Sequence, residues 1–594
     1  MKPDSWTVFP KFLIFFHLFR TSTTYDCDVE FTYSEYYNSN GFKVTCSNIV
    51  EGQEDIIRSI SAQNAIILDI RNTTLVNVTS DLFENVPKLK ELNIEDSRIS
   101  VNGTVDLFSK LEGLQTLIIK NTMLDDIGNG TFYNLPQIRT LHLENNSLSC
   151  LAKDSLKLTS LDTLLFINNN LEDVDDIPLC YLENVEKINF SKNRIRTLKP
   201  NLYQCGSDKA KKTSMNNIYD DNHIGIECLD LSDNEITSIK KAFKPFTNLN
   251  YLNLANNSIS SIADNDFQNL RELEDLNLSN NSILYMSNAA FRDLISLREI
   301  NLSHNKISTI KLQFLTKLTK VDLSHNSLTF ENLDQIKYLP FLETLDLSFN
   351  DLNGTSDFFN RFPSLINLNL NENNLILEED MFRNLSQLET LYLRDNGIIY
   401  LPETIFNNMT SLKELDLSKN KLEVIDNYQI FSSLFSLQVF NLSYNNLRYL
   451  NHNLFSNLDD CEILDISGNK LRELDYPYII NSMRSLDTIN LNDNLFSCNF
   501  LHKVIRYFTW KSISYNVKNM TEYDEENIGG IPCQEEMNEV ESVKSDPETT
   551  SVFVIVLVST IVSVFVLMMI LIIKYYQIYR RSKYHSEQFE LIAD

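Results

Sequence analysis

LETLDLSFNDL, Leu342 to Leu352, carries apolar residues at its first, fourth, sixth and last positions and an Asn, Asn350, at its ninth. The phrase returns in phase eighteen times, opening at Ala65, Leu89, Leu114, Ile138, Leu161, Val185, Ile226, Leu249, Leu273, Leu297, Leu318, Leu342, Leu365, Leu388, Leu412, Leu437, Cys461 and Leu486. Most steps are 23 to 25 residues; one is 21, and that from Val185 to Ile226 is 41. Alternating apolar residues over so short a span specify a strand with one face inward. Stacked at a fixed period, such strands form a parallel sheet along one side of a solenoid. The ninth-position Asn (Asn350, Asn420, Asn469) sits where the chain leaves the strand, and its amide can bond main-chain groups that would otherwise be buried unpaired. Fifteen phrases carry it, whereas the first three have Thr73, Ser97 and Thr122, whose shorter groups predict a less regular N-terminal end.

This period and phrase resemble the leucine-rich repeat. The resemblance covers about three-quarters of the chain and implies a horseshoe-shaped α/β solenoid of about 18 repeats with a parallel concave sheet, disulfide-closed caps and one transmembrane helix. It also implies a convex spine for a second column, Phe83, Phe132, Phe243, Phe267, Phe291, Phe314, Phe382, Phe406 and Phe455, which falls 17 or 18 places after each repeat start. An aromatic box for a cofactor is the alternative that this regular spacing disfavours.

Outside the repeats, residues 1–24 read as a secretory signal: Lys2 and Lys11 precede the short apolar run Phe12–Phe19, and small residues follow. An N-terminal anchor would need a longer run. Residues 25–64 form an N-terminal cap in which Cys27 and Cys46 flank a strand-like aromatic stretch and close it by a disulfide. The repeats occupy 65–496, with a polar insertion at 206–225. Residues 497–533 resemble the C-terminal cap of secreted leucine-rich repeat proteins, with Cys498, a helix through Trp510, and Cys533. That cap usually holds four Cys, so one bridge is expected rather than two. An acidic stalk, 534–551, leads to Val552–Ile573, 22 residues without a charge, enough to cross a hydrocarbon core of roughly 30 Å. Lys574, Arg580, Arg581 and Lys583 then place the tail, 574–594, in the cytoplasm. The chain thus reads as a single-pass type I plasma-membrane protein with an extracellular N-terminus. Glu587, Leu591 and Ile592 fit an acidic dileucine sorting signal, which suggests endosomal cycling.

Nine Cys in an exported chain leave one over. Cys461 takes a Leu position and reads as a buried thiol. Cys150, Cys180, Cys205 and Cys228 allow three connectivities. Cys205–Cys228 with Cys150–Cys180 is favoured because it closes the insertion, while Cys180–Cys205 stays open because stacking brings their offsets together. Fifteen N-x-S/T triplets, among them Asn72, Asn77, Asn102, Asn129, Asn353, Asn384, Asn408 and Asn519, fit a glycosylated surface. Asn189, Asn277, Asn301 and Asn441 fall inside strands, where sugar would obstruct the concave face.

A formal charge of −28 excludes nucleic acid as a partner. No catalytic motif, metal cluster or phosphate loop reads out, so neither an enzyme nor a cofactor is expected. Ser303, His304, Asp322, Ser324 and His325 resemble a triad only in composition; on an open face they read as ordinary strand-end residues. Binding is what remains. Solvent-facing strand positions in the central repeats are monotonous, Asp or Asn and then Ser. In three consecutive early repeats they are Ile118 and Lys120, His142 and Glu144, Leu165 and Ile167; apolar residues at such slots mark a ligand-contact candidate. Tyr392 and Arg394 form a smaller one. An irregular region beside an irregular cap is the competing explanation. The outside resembles a Toll-like ectodomain or an insect adhesion protein of the chaoptin kind, but the 21-residue tail holds no Toll-like signalling domain. The expectation is a cell-surface recognition or adhesion protein for an extracellular protein or cell-surface partner, with homo- or heterodimerisation open. The alternative is an innate-immune receptor, co-receptor or decoy that signals only through a partner.

Overall fold

The computed structural model of the chain describes residues 27–534, apart from 35, 61–62, 102–106, 123–130, 133–134, 151–155, 157, 175–178, 180–181, 183, 200–224, 337 and 517–526, together with Lys574. The chain divides after Gln534. In the second unit, the expected stalk, membrane span, tail and sorting signal lie outside the described residues, as do the signal sequence and most of the insertion in the first. Among the described residues no helix is long and apolar enough to cross a membrane.

The first unit is a solenoid around one continuous apolar core. Its main sheet has 21 strands. Eighteen come one from each repeat phrase and pair in parallel with their sequence neighbours through seventeen turns. A hairpin of β1 (Cys27–Ser34) and β2 (Ser39–Ser47) caps one end, with β2 parallel to β3 (Ala65–Arg71). The other end closes with Ser514–Tyr515 beside the last repeat strand. Cys27–Cys46 and Cys498–Cys533 are bonded as expected. Between the latter pair runs the helix Cys498–Lys511, capped by the Ser497 side chain accepting from the Phe500 N–H, with Leu501, Val504 and Phe508 on its buried face.

The first, fourth and sixth positions of the opening phrase, Leu342, Leu345 and Leu347, are all buried. The Asn ladder forms as the chemistry requires. Asn350 Nδ2 donates to the carbonyls of Leu323, Leu347 and Ser348 at 3.0–3.1 Å, and Asn350 Oδ1 accepts from the Leu328 N–H at 2.9 Å. One residue earlier, the eighth position adopts a left-handed conformation in every repeat, with φ between 49° and 62° from Asn72 to Asp493. A bulky side chain tolerates this poorly. Where the position is His304, His325 and Phe349, the rings stack face to face at 3.9 and 4.0 Å.

The N-terminal end departs from the rest, as its Thr73, Ser97 and Thr122 predict. Register shifts occur between β2 and β3 and in the pair Thr74–Val78 and Arg98–Val101, and the strands are longer, with seven residues in β3 and five in Glu91–Glu95, Thr116–Lys120, Thr140–Glu144 and Thr163–Ile167. From Lys187–Asn189 onward the repeat strands have three. Over these later repeats the fifth position is Asp or Asn in every one but that of Tyr392. Its side chain accepts the N–H of the seventh residue, as Asp346 Oδ1 does from Ser348 at 2.9 Å, which turns the chain out of the ladder early. In the long early strands Ile118, His142 and Leu165 offer no such acceptor, and Asp69 and Asn93 are bonded to each other across the sheet instead. The expected Phe spine is edited. Phe83, Phe132, Phe243, Phe267, Phe291, Phe382, Phe406 and Phe455 are buried, and Phe108, Phe359 and Phe431 join them by ring contacts at 5.6–6.0 Å. Phe314 is only half-buried: the 21-residue step shortens its convex crossing, and Leu312 and Leu315 fill the core there.

Candidate functional site

The sequence-derived concave residues come together. Ile118, His142 and Leu165 lie opposite one another across three adjacent parallel strands, and so do Lys120, Glu144 and Ile167. All six are half-buried rather than fully exposed, because strands about 4.8 Å apart make each side chain lean on the next.

Within this block one polar cluster forms. Glu144 Oε2 accepts from Lys120 Nζ at 3.1 Å and from His142 Nε2 at 2.9 Å. Burial pushes the His142 pKa down, and the Lys120 charge pushes it the same way against Glu144. Burial alone would raise the Glu144 carboxyl, but bonding to Lys120 and His142 brings it below its usual range. His142 is therefore neutral at pH 7; the carboxylate selects the tautomer with the proton on Nε2, which donates a hydrogen bond to Glu144 and makes Nδ1 an acceptor. The result is a block of no net charge, with Ile118, Leu165 and Ile167 around one satisfied Lys–Glu–His set.

Its borders differ sharply. On the cap side, Asp69 is buried and bridged by Lys43 at 2.9 Å and Arg71 at 3.5 Å, and Asn93 Nδ2 donates to it at 2.7 Å. On the other side begin the Asx-turned strands, whose fifth-position side chains are already engaged. Asn189, Asn277, Asn301 and Asn441, the triplet residues inside strands where sugar would obstruct the concave face, each accept from the N–H of the triplet Ser at 2.8–3.0 Å.

Tyr37 was not singled out from sequence. It lies in the cap hairpin's turn, yet its hydroxyl donates to Glu91 Oε2 at 2.8 Å and sits 2.9 Å from Thr116 Oγ1, two residues before Ile118. The cap thus folds onto the concave strands and walls the apolar block on one side. The YSEYYN run between two Cys was the available signal.

The remaining candidates are placed as follows. Tyr392 donates its hydroxyl to Glu414 at 2.8 Å; burial and that carboxylate push its pKa up to about 12. Arg394 is half-buried two residues on, its N–H donated to Asn371 at 2.7 Å. Ser324 Oγ donates to Asp322, and Ser303 Oγ donates to Asn301, so neither is held by His304 or His325 and no triad exists. Cys461 is a fully buried thiol whose pKa burial pushes up to about 12. Cys150 and Cys228 carry free thiols, so neither expected pairing is seen; Cys180 and Cys205 lie outside the described residues. Asn72, Asn353, Asn384 and Asn408 are exposed. Asn77 lies in the strand Thr74–Val78, and Asn102, Asn129 and Asn519 lie outside the described residues. Among the described residues no group of three or more His, Cys, Asp or Glu could hold a metal ion.

A family model described as leucine rich repeat matches residues 112–166, 225–283, 271–328 and 386–430. No curated protein matches the sequence. Among solved structures, a leucine-rich repeat protein of Leptospira interrogans is similar over 75% of this chain and 99% of its own, with 20% identity and a TM-score of 0.53. The Drosophila Toll–Spatzle complex is similar over 81% of this chain and 68% of its own, with 16% identity and a TM-score of 0.59. At these identities the likeness is one of fold.

Proposed function

We propose that this chain, a leucine-rich repeat protein, is a non-catalytic cell-surface recognition or adhesion protein that binds a protein ligand on the concave face of its early repeats. One observation carries the reading: Ile118, Leu165 and Ile167 are half-buried around a charge-satisfied Lys120–Glu144–His142 set, on the stretch of sheet where the fifth positions are not spent on turns. An apolar block with its polar groups already paired costs little to desolvate, and that favours a protein surface with a complementary apolar anchor. The uncharged run Val552–Ile573 and the basic residues after it support anchorage by a single helix in the plasma membrane, and the N-terminal apolar run supports export. The exposed triplets support glycosylation.

A second reading is an innate-immune receptor or co-receptor. The neighbour whose structure is the Toll–Spatzle complex favours it, because that complex is described as a hub in Drosophila development and innate immunity and the fold is similar. Crosslinking on living cells that display the full chain, followed by identification of captured extracellular proteins, separates the two. Recovery of an endogenous cell-surface protein, with aggregation of expressing cells, supports adhesion. Selective binding of microbial glycans or lipids supports the second reading. Capture of nothing that the Ile118 block contacts would count against both.

A further inference from the structure

We infer that the outer edge of β1 is a self-association surface, to which a second copy of this chain adds its own β1 antiparallel, about a two-fold axis at Phe31. The inference is independent of the Ile118 block. β1 is the last strand at the cap end of the main sheet. It pairs with β2 through eight residues without a register shift, and among the described residues no strand pairs with its other edge. Cys27 and Cys46 lie directly opposite with Cα atoms 4.1 Å apart, the close spacing of a non-hydrogen-bonded pair. By alternation Val29, Phe31 and Tyr33 turn their N–H and C=O groups to the open edge. Their side chains lie on the core side of the sheet, because Val29 faces Val44 and Val44 faces Leu68, both fully buried. Yet Val29, Phe31 and Tyr33 are 46, 66 and 54% exposed. A solenoid end needs a polar outer face, and an edge strand is ordinarily blunted by Lys, Pro or a bulge. Cys27–Ser34 has none of these three, and no N-x-S/T triplet before Asn72 puts sugar over it.

The strand itself selects the occupant. What fits must bring an extended segment with a free edge, apolar side chains on the core side, and no acid opposite Asp28 or Glu30. A second β1 brings all three. A two-fold perpendicular to the sheet keeps the core sides of both copies together. With Phe31 on its own copy, Val29 meets Tyr33 and Tyr33 meets Val29, and these residues exchange main-chain hydrogen bonds; on the concave side Asp28 meets Ser34 and Glu30 meets Thr32. Apolar pairs then face each other and no acid faces an acid. The neighbouring registers that keep the faces matched are worse. An axis at Glu30 sets two carboxylates opposite each other, and one at Thr32 leaves Val29 without a partner in the strand. The other end of the sheet, Ser514–Tyr515, is only two residues long and too short to match β1. Copies therefore meet cap to cap and close as a dimer instead of stacking into a filament.

The test displays the full-length chain on cells in two differently tagged forms, one carrying Glu30→Cys and the other Thr32→Cys. Under the two-fold these thiols lie opposite each other with Cα atoms about 4.5 Å apart, within disulfide reach, so mild oxidation joins the two tags in a reducible band of twice the mass. Glu30→Cys alone sets its two thiols diagonally, roughly 8 Å apart at ~3.4 Å per residue and ~4.8 Å between strands, and stays at the wild-type background that exposed Cys150 sets. Phe31→Lys places two like charges on the axis. It lowers the mixed band about tenfold, and lowers co-precipitation of two tagged copies without added cysteines by the same factor, at unchanged surface expression. The inference is overturned if the mixed pair yields no more dimer than the wild type, if the band contains a different protein, if Glu30→Cys alone crosslinks as well, or if Phe31→Lys leaves co-precipitation at the wild-type level.

Discussion

Replacing Asn350 by Ala removes one rung of the ladder that holds successive repeats together. The neighbours show what is lost. The Leu323 carbonyl keeps Asn326 Nδ2 at 3.1 Å, the Leu347 carbonyl keeps Asn373 Nδ2 at 3.0 Å, and the Ser348 carbonyl keeps the His325 N–H at 2.9 Å. The Leu328 N–H has only Asn350 Oδ1, and Leu328 is fully buried. One orphaned buried donor costs about 1–3 kcal/mol, and thinning three shared acceptors adds about 1 kcal/mol, for a local loss of about 2–4 kcal/mol. Because each repeat leans only on its neighbours, the loss is read locally. Peptide-resolved hydrogen exchange across 326–330 should quicken by about 30- to 700-fold, at roughly 1.4 kcal/mol per factor of ten. Asn350→Asp gives an independent check on sign. Its carboxylate still accepts from the Leu328 N–H but faces three carbonyl oxygens, so its folded pKa rises above the unfolded value. The folded state then binds more protons, and the variant regains stability as pH falls through that raised pKa. Unchanged exchange at Leu328 in the Ala variant, or an Asp variant that weakens further between pH 7 and pH 5, would refute the reasoning.

Other predictions concern titration and thiol access. The His142 pKa is lowered on folding by burial and Lys120, so the folded state binds fewer protons than the unfolded one. The neutral ring's stabilisation is present above the unfolded value near 6.5 and is lost as pH falls through the lower folded value. The stability of the wild type relative to His142→Gln, followed by denaturant unfolding at pH 7.5 and pH 5, should drop at the lower pH; an unchanged difference contradicts the assignment. For the thiols, native-state alkylation at pH 8 with mass-spectrometric readout should modify exposed Cys150 and leave Cys461 untouched until the chain unfolds, because its thiol is buried and titrates only near 12.

The strand period, the ninth-position Asn and the cap cysteines were legible in sequence because each is a local rule repeated many times, and equal offsets from a repeat start become register partners once strands stack. That is why Ile118, His142 and Leu165 could be aligned before any coordinates. What failed was tertiary. Nothing local says that Tyr37 reaches across to Glu91 and Thr116, or that Lys120, His142 and Glu144 share one set of bonds. The long early strands escaped notice because the fifth-position Asp or Asn of the later repeats looked like surface monotony, when there it accepts the seventh N–H and ends the strand, as Asp346 does. Phe314 kept the spine's spacing but lost its place to Leu312 and Leu315, since a column read from its start residue ignores a crossing that is three residues short.

The central claim is that the early concave block binds a protein ligand. Ile118→Arg with Ile167→Arg puts two charges into that block while leaving the core residues Leu117, Ile119 and Phe166 in place. Binding of the partner captured on cells should fall at least a hundredfold, with surface expression and thermal unfolding unchanged. Full affinity in the double variant, at normal expression and stability, would contradict the account.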